Sequence, residues 1–288
     1  MTAYNREKYI AVAIESVLAS TCEDFELVVV DDSSQDGTLE IVRRYISDPR
    51  VQVHVNEKNL GDYPNRNRAA TLARGKYLKY LDSDDVIYPN SLATMVEALE
   101  QFSEAAFALC RLGKPAKPDL VLYSPSQAYC HHFIATGLFH AGPSGSIIRA
   151  GAFWSVGGFT AHHVAGDVDL WLRLGARYPF VSLPAGLVYW RSHEGQEYRK
   201  GMDSFAYSFL NYKIIMDALA DPGCPLTREE QAQAIARQKY LHARHIWHLG
   251  LREGRLGTAF RLYRDSKLSI ADLARGLAPA STTGSIGK

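Results

Sequence analysis

Two hydrophobic runs that end in paired carboxylates constrain this chain more than any other feature. Glu26 to Val30 leads into Asp31-Asp32-Ser33-Ser34, and Tyr77-Leu78-Lys79-Tyr80 leads into Leu81-Asp82-Ser83-Asp84-Asp85. Short runs rich in Val, Leu and Tyr read as strands. Polar groups released at their C-terminal ends sit where open α/β sheets hold ligands. Both acidic ends therefore point to one rim of one sheet.

The pattern around them alternates. Tyr9, Ile10, Ala13, Ile14, Val17 and Leu18 recur at helical spacing after Asn5, a good N-cap residue. Leu39, Val42, Arg43, Tyr45 and Ile46 resume that period, Val51 to Val55 alternates like a strand, and residues 64–73 again read as helix. Pro89 opens a further helix to Phe102, with Leu92, Met95, Val96 and Leu99 on one face. This order predicts an α/β fold, a mostly parallel sheet flanked by helices. Met1 to Asn5 runs straight into the first helix, so the first strand is expected to be truncated: its residues precede Met1 in the native protein, or the fold tolerates their loss. Further on, Asp119 to Tyr123, Phe180 to Leu183 and Leu187 to Trp190 read as strands and Gly142 to Gly145 as a loop. Residues 226–265 turn helical, and Ala278 to Lys288 is rich in Ser, Thr and Gly. The expected division is a domain over 1–195, with halves over 1–102 and 103–195, then a helical extension and flexible tail over 196–288.

Charge and cysteines narrow the partners. Thirty-two Lys and Arg against 31 Asp and Glu give a net charge of +1, which argues against a nucleic-acid partner. Cys22, Cys110, Cys130 and Cys224 are scattered without a Cys-x-x-Cys pair, which fits a reduced, cytoplasmic setting. No stretch approaches the roughly 20 apolar residues of a membrane span. Peripheral contact with the inner face of a membrane stays open, and the oligomeric state is not legible.

Asp82, Ser83 and Asp84 form a D-x-D spacing. Such hard oxygens hold Mg2+ or Mn2+ while leaving positions for a diphosphate, although the same residues also read as a turn before the Pro89 helix. Asp31 and Asp32 read either as acceptors for a base or ribose, or as an Asx turn. Leu170, Trp171 and Leu174 share a helical face, so Asp167 lies at a helix N-terminus, where an acid also simply complements the macrodipole. In Trp190-Arg191-Ser192-His193 the imidazole either completes a divalent site or sits in a surface loop. His242, His245 and His248 read first as packing or solvated histidines. Arg237 to Arg264 reads first as an amphipathic helical pair, and second as a membrane-surface or partner contact.

Thr2-Ala3-Tyr4-Asn5, Val30-Asp31-Asp32-Ser33-Ser34, Arg66-Asn67, Gly75-Lys76-Tyr77 and Leu81-Asp82-Ser83-Asp84-Asp85, in that order, resemble the motifs of family 2 inverting glycosyltransferases, enzymes of GT-A (Rossmann-like) fold. The likeness covers roughly residues 1–195. It implies that Tyr4 stacks on a nucleotide base, that Asp32 binds base or ribose, and that Arg66 contacts nucleotide or diphosphate, with Thr2 and Ser83 also lining the nucleotide site. Asp84 would be the direct metal ligand, supported by Asp82, with His193 nearby. Asp167 would be the general base. Gly166 stands where the family usually has Glu, removing a carboxylate that would orient an acceptor or tune the base. Ser146 to Arg149 and Gly157-Gly158-Phe159 resemble the segment beneath the acceptor pocket, and Glu194 to Met202 a closing loop. The implied activity is Mn2+- or Mg2+-dependent, inverting transfer of a sugar from a UDP or dTDP donor to an acceptor hydroxyl. The acceptor would be a glycan, a lipid-linked species or a small molecule, in polysaccharide or cell-surface glycan synthesis. A sugar-phosphate nucleotidyltransferase and a non-catalytic nucleotide-sugar binding protein are the alternatives.

Overall fold

In the computed structural model, residues 1–111, 119–160, 164–193 and 205–278 are described; the expected closing loop at Glu194 to Met202 and the tail beyond Ala278 lie outside them. The sheet is seeded by β2 (Leu27–Asp31), whose five residues are all buried. An unbroken apolar run of this kind suits a strand covered on both faces. β1 (Thr2–Ala3) pairs with β2 in parallel, and Met1 N donates to Val28 O at 2.7 Å. The first strand is thus present, two residues long. β3 (Val51–Val55) lies on the other side of β2, also parallel.

Helix α1 (Ile10–Leu18) joins β1 to β2, α2 (Thr38–Arg43) joins β2 to β3, and α3 (Asp62–Leu72) follows β3. The core formed by Ile10, Ile14 and Val17 of α1 with Val29 and Val42 also takes in Met95 and Leu99 of α4 (Ser91–Gln101). Burying each such aliphatic side chain contributes about 1.5–3 kcal/mol. Asn5 is not the cap of α1, which starts five residues later. It sits in left-handed backbone at φ 52° and cross-links two turns instead: its Oδ1 accepts from Gln35 N and its N donates to Ser34 Oγ. Arg6 N to Thr38 Oγ1 and Gly37 N to Glu7 Oε2 continue that seam.

The second half of the sheet is mixed. β4 (Tyr77–Leu78), β6 (Phe107–Cys110), β7 (Val121–Tyr123), β8 (Ser146–Arg149) and β9 (Phe180–Leu183) run in the order β4-β8-β6-β9-β7. Only β6 and β9 are parallel; the other pairings are antiparallel. A parallel bridge from Thr2 to Asp82 ties the segment after β4 back to β1. β5 (Val86–Ile87) pairs antiparallel with β10 (Val188–Tyr189). Helices α6 (Ala150–Ser155) and α7 (Gly166–Arg177) follow β8. Trp171 of α7 is fully buried, stacks on Phe107 and donates from Nε1 to Ala141 O.

The chain divides into two units. One comprises residues 1–125 and 138–193. The other joins 126–137, mostly the helix α5 (Pro125–Ile134), to residues 194–288. In the second unit, the helices Phe205–Ala220, Arg228–Trp247 and Leu256–Asp265 share a core of Tyr212, Ala243, Ile246, Leu249, Ala259, Leu262 and Leu268. Thr227 and Glu230 form a capping box at the start of the 20-residue helix. Among the described residues, no helix is long and apolar enough to cross a membrane.

Candidate functional site

The acidic cluster is a tight turn between β4 and β5, closed by Asp85 N donating to Asp82 O at 2.9 Å. Its three carboxylates meet different partners. Asp82 Oδ1 lies 2.7 Å from Arg66 Nη2, and its backbone N donates to Ser144 Oγ. Burial pushes the Asp82 carboxyl up, but the Arg66 guanidinium overcomes this and holds it below the ordinary range. Asp84 Oδ2 lies 2.9 Å from His193 Nε2 and 3.3 Å from Arg6 Nε. Asp85 accepts from Arg191 N at 3.1 Å; burial, then repulsion from Asp82, pushes its carboxyl up to about 7.

The β5–β10 ladder explains how residues about a hundred positions apart meet. Tyr189 pairs with Val86, so the chain leaving β10 passes directly over the acidic turn, where Arg191 Nε donates to Asp84 O and His193 reaches Asp84. His193 also packs against Tyr9, with ring centroids 4.6 Å apart. Asp84 and His193 make a mixed oxygen and nitrogen donor pair of the sort borderline divalent cations accept. Asp82 is turned to Arg66 and serves the turn from behind. Among the described residues, no three His, Cys, Asp or Glu side chains gather into a complete metal site. A cation held here would therefore draw further ligands from a substrate, as Mg2+ does at phosphates.

Several expected nucleotide residues turn out to be committed to the protein. Asp32 is buried and its carboxylate accepts from Asn56 Nδ2 and from the backbone N–H groups of Leu60 and Gly61, so it anchors the loop leading into α3. Asp31 Oδ2 accepts from Ser34 N. Arg66 is buried and bridges Asp62 and Asp82, over the ring of Tyr80. Thr2 is buried between Val30 and Asp82 as strand backbone, and Ser83 is buried within the turn. Tyr4 alone among them presents an exposed ring, at 42%.

Asp167 occupies the first turn of α7, after Ala165 in left-handed backbone at φ 56°. Its Oδ1 accepts from Val168 N at 2.9 Å and lies 3.5 Å from Tyr63 Oη. Burial raises its carboxyl above the ordinary range, against the opposing pull of backbone N–H groups and Arg66. Two neighbours fix the helix start. Asp169 Oδ2 accepts from Thr160 Oγ1 and pairs with Arg173, which itself donates to Gly158 O. Asn67 of α3 grips the Phe159 backbone at both its N–H and C=O. Gly158 makes this possible: at φ +65°, an added Cβ would lie 2.8 Å from Asn67 Oδ1.

Sequence reasoning missed Lys79, Arg6, Ser144 and Tyr63. Lys79 is a cation inside the apolar run Tyr77 to Leu81, a signal that was available. Its Nζ donates to the carbonyls of Tyr80 and Ser144 beneath the acidic turn, and burial pushes it down to about 8. Tyr63 gave no local signal, because its partner lies 104 residues away. The three histidines at 242, 245 and 248 do not converge on a metal: His242 bonds Ser266, His245 bonds Ser208 and His248 pairs with Glu253.

Comparison with known proteins agrees with this architecture. The glycosyl transferase family 2 profile matches residues 1–157. A putative glycosyltransferase, EpsE of Bacillus subtilis, is 28% identical over 246 residues, covering 79% of this chain and 83% of that protein. Chondroitin synthase of Escherichia coli is 42% identical over 144 residues, which is 46% of this chain but 21% of that protein. Among solved structures, residues 1–349 of S. aureus TarS in complex with UDP-GlcNAc superpose with a TM-score of 0.70 at 19% identity, over 96% of this chain and 86% of that one. The mannosyltransferase PcManGT from Pyrobaculum calidifontis, in complex with GDP-Man and Mn2+, gives 0.66 at 18% identity, over 95% and 76%. The present chain spans about half, 49%, of a longer TarS structure. The likenesses to solved structures show the GT-A fold, and the family match favours transferase chemistry over the nucleotidyltransferase and non-catalytic alternatives. The chain belongs to glycosyl transferase family 2 and is a glycosyltransferase.

Proposed function

We propose that this protein transfers a sugar, with inversion and with help from a divalent cation, from a nucleoside diphosphate donor to an acceptor hydroxyl. The observation that carries the reading is the contact of Asp84 with His193, in the same unit as the half-buried Asp167 at the start of α7. Asp84 and His193 would hold Mn2+ or Mg2+, with Asp82 behind them, and the cation would neutralise charge on the departing diphosphate. Asp167 takes the proton from the acceptor hydroxyl as its oxygen attacks the anomeric carbon. The bond from that carbon to the phosphate oxygen breaks, and its electron pair leaves with the nucleoside diphosphate. A carboxyl raised by burial is a stronger base than an ordinary one, which suits this step. Tyr4 supplies a stacking face for the base, while Thr2, Asp32, Ser83 and Arg66 act by shaping the nucleotide wall around it.

A UDP or dTDP donor is the first choice, in line with the UDP-GlcNAc complex of TarS. The acceptor would be a glycan, a lipid-linked species or a small molecule, in polysaccharide or cell-surface glycan synthesis. We place the protein in the cytoplasm, with peripheral contact at the inner face of the membrane. Leu251, Leu256 and Phe260 support this contact, being 65% exposed or more in a stretch that also carries Arg252, Arg261 and Arg264.

Calorimetry tests the metal and base assignments separately. Asp84→Ala should abolish Mn2+-dependent UDP binding, whereas Asp167→Asn should keep that binding and lose transfer by on the order of 10² to 10⁴-fold. Unchanged Mn2+-dependent affinity in Asp84→Ala would refute the metal assignment. Transfer or donor hydrolysis unaffected in Asp167→Asn would refute the base.

A further inference from the structure

Gly166 precedes the acid at the start of α7, and the reason for a glycine there is steric. A Cβ at this position would fall 2.8 Å from Cε2 and Cζ of the Tyr63 ring and 2.9 Å from Cδ2. Real Cβ atoms do not approach that closely, so any side chain at 166 must evict the ring. The ring is not easily displaced: Tyr63 is buried on α3 and packs on Phe159, with centroids 5.2 Å apart. Its hydroxyl faces Asp167 Oδ1 at 3.5 Å.

We propose that Tyr63 is the positioning residue of Asp167, seated in the room that Gly166 leaves, and that its hydroxyl orients the carboxylate for proton transfer. This rests on the reading of Asp167 as the base. Both hydrogen bonds to the carboxylate, from Tyr63 and from Val168 N, arrive at Oδ1. Oδ2 then becomes the oxygen that takes the acceptor proton. A phenol does this without adding charge. Buried, and beside the carboxylates of Asp167 and Asp62, Tyr63 is held protonated far above neutral pH, so it remains a donor throughout the working range. A carboxylate on residue 166 would instead add negative charge beside the base. The charged groups acting on Asp167 from the packed helix α3 are Arg66, which favours its ionised form, and Asp62, which opposes it. Neither is altered by changing the phenol to a phenyl ring.

Tyr63→Phe keeps the ring and removes only the hydroxyl. Donation to a carboxylate favours its ionised form, so losing the donor should raise the Asp167 titration midpoint by about one unit. Carbon-13 NMR of labelled Asp carboxyls in the full chain reads this directly, with Asp167→Asn assigning the resonance and no substrate required. An unmoved midpoint in Tyr63→Phe overturns the proposal. Gly166→Ala should reproduce the raised midpoint by displacing the ring, and a wild-type midpoint in that variant also overturns it. With a donor selected from UDP-, dTDP- and GDP-sugars, Tyr63→Phe should lower kcat by on the order of 10-fold. The donor KM should stay unchanged, and the acid limb of the kcat profile should shift to higher pH. A kcat loss with the acid limb fixed would mean that the hydroxyl serves only packing, and would count against it. Should Asp167→Asn retain transfer, the base assignment would fail and with it the catalytic use of the contact, while the NMR arm still judges the Tyr63–Asp167 contact itself.

Discussion

Buried charge at the sheet rim is compensated residue by residue. Arg66 answers Asp62 and Asp82, Lys79 lies under the turn, and Arg6 with His193 answers Asp84. Leaving one such partner alone in the interior is strongly destabilising, by roughly 3–5 kcal/mol. Arg66→Met should therefore lower the denaturation midpoint as well as donor affinity, because the Asp82 carboxylate would lose its main counter-charge. Urea unfolding of the two proteins at pH 7 measures this, and an unchanged midpoint would refute it. Gly158 makes a different demand. Gly158→Ala must adopt φ +65° and press a methyl against Asn67 Oδ1 at 2.8 Å and the Phe153 ring at 3.0 Å. The expected loss is about 1–3 kcal/mol, visible as a lower Tm.

At the scale of elements, the strands were the most legible part of the sequence. Val51 to Val55 and Phe180 to Leu183 form strands over the expected residues: the first shows as β-branched alternation although only Val51 is buried, and the second is an apolar run buried throughout. Phe107–Cys110 escaped notice: the four-residue apolar stretch Phe-Ala-Leu-Cys has no alternation, and only pairing on both sides makes it a strand. The parallel order holds for β1 to β3 and fails in the second half, where the antiparallel partners of β8 lie 37 to 72 positions away in sequence and leave no local signature. The 20-residue helix Arg228–Trp247 carries a titratable element of its own. His242 stacks on Tyr212 at 3.9 Å and bonds Ser266. Burial, and then His245, pushes it down from 6.5 to about 4. Its folded value is depressed, so the unfolded chain binds the proton first as pH falls below about 6.5, and stability drops toward pH 4. Between pH 6.5 and 5 the loss from this group is about 2 kcal/mol. His242→Phe should flatten that slope in denaturant titrations at the two pH values; an equal slope would remove His242 as its source.

For the whole molecule, the acidic turn, the His193 loop and the start of α7 belong to one unit, built from residues 1–125 and 138–193. The motif order in the sequence was enough to name this assembly, because the acidic motifs follow strands and Asp167 starts a helix. Motif order could not reveal that Asp32 and Arg66 are held by the protein's own loop and acids, since their partners depend on tertiary register. If the rim binds a nucleotide as proposed, UDP with Mn2+ should stabilise the folded chain. Saturation at one hundred times Kd contributes about 2.7 kcal/mol, a Tm rise of several degrees. Differential scanning fluorimetry should show that rise in the wild type and its absence in Asp84→Ala.

The interlock of Tyr63 with Gly166 also bears on how such a site can diverge. Position 166 is closed to every side chain while a tyrosine fills position 63, and a smaller residue at 63 would open a void beside the base unless 166 grew to fill it. Neither residue can drift alone without passing through a clash or a cavity. Homologous sequences should therefore show the two positions changing as a pair, tyrosine with glycine, or a small residue with a larger one.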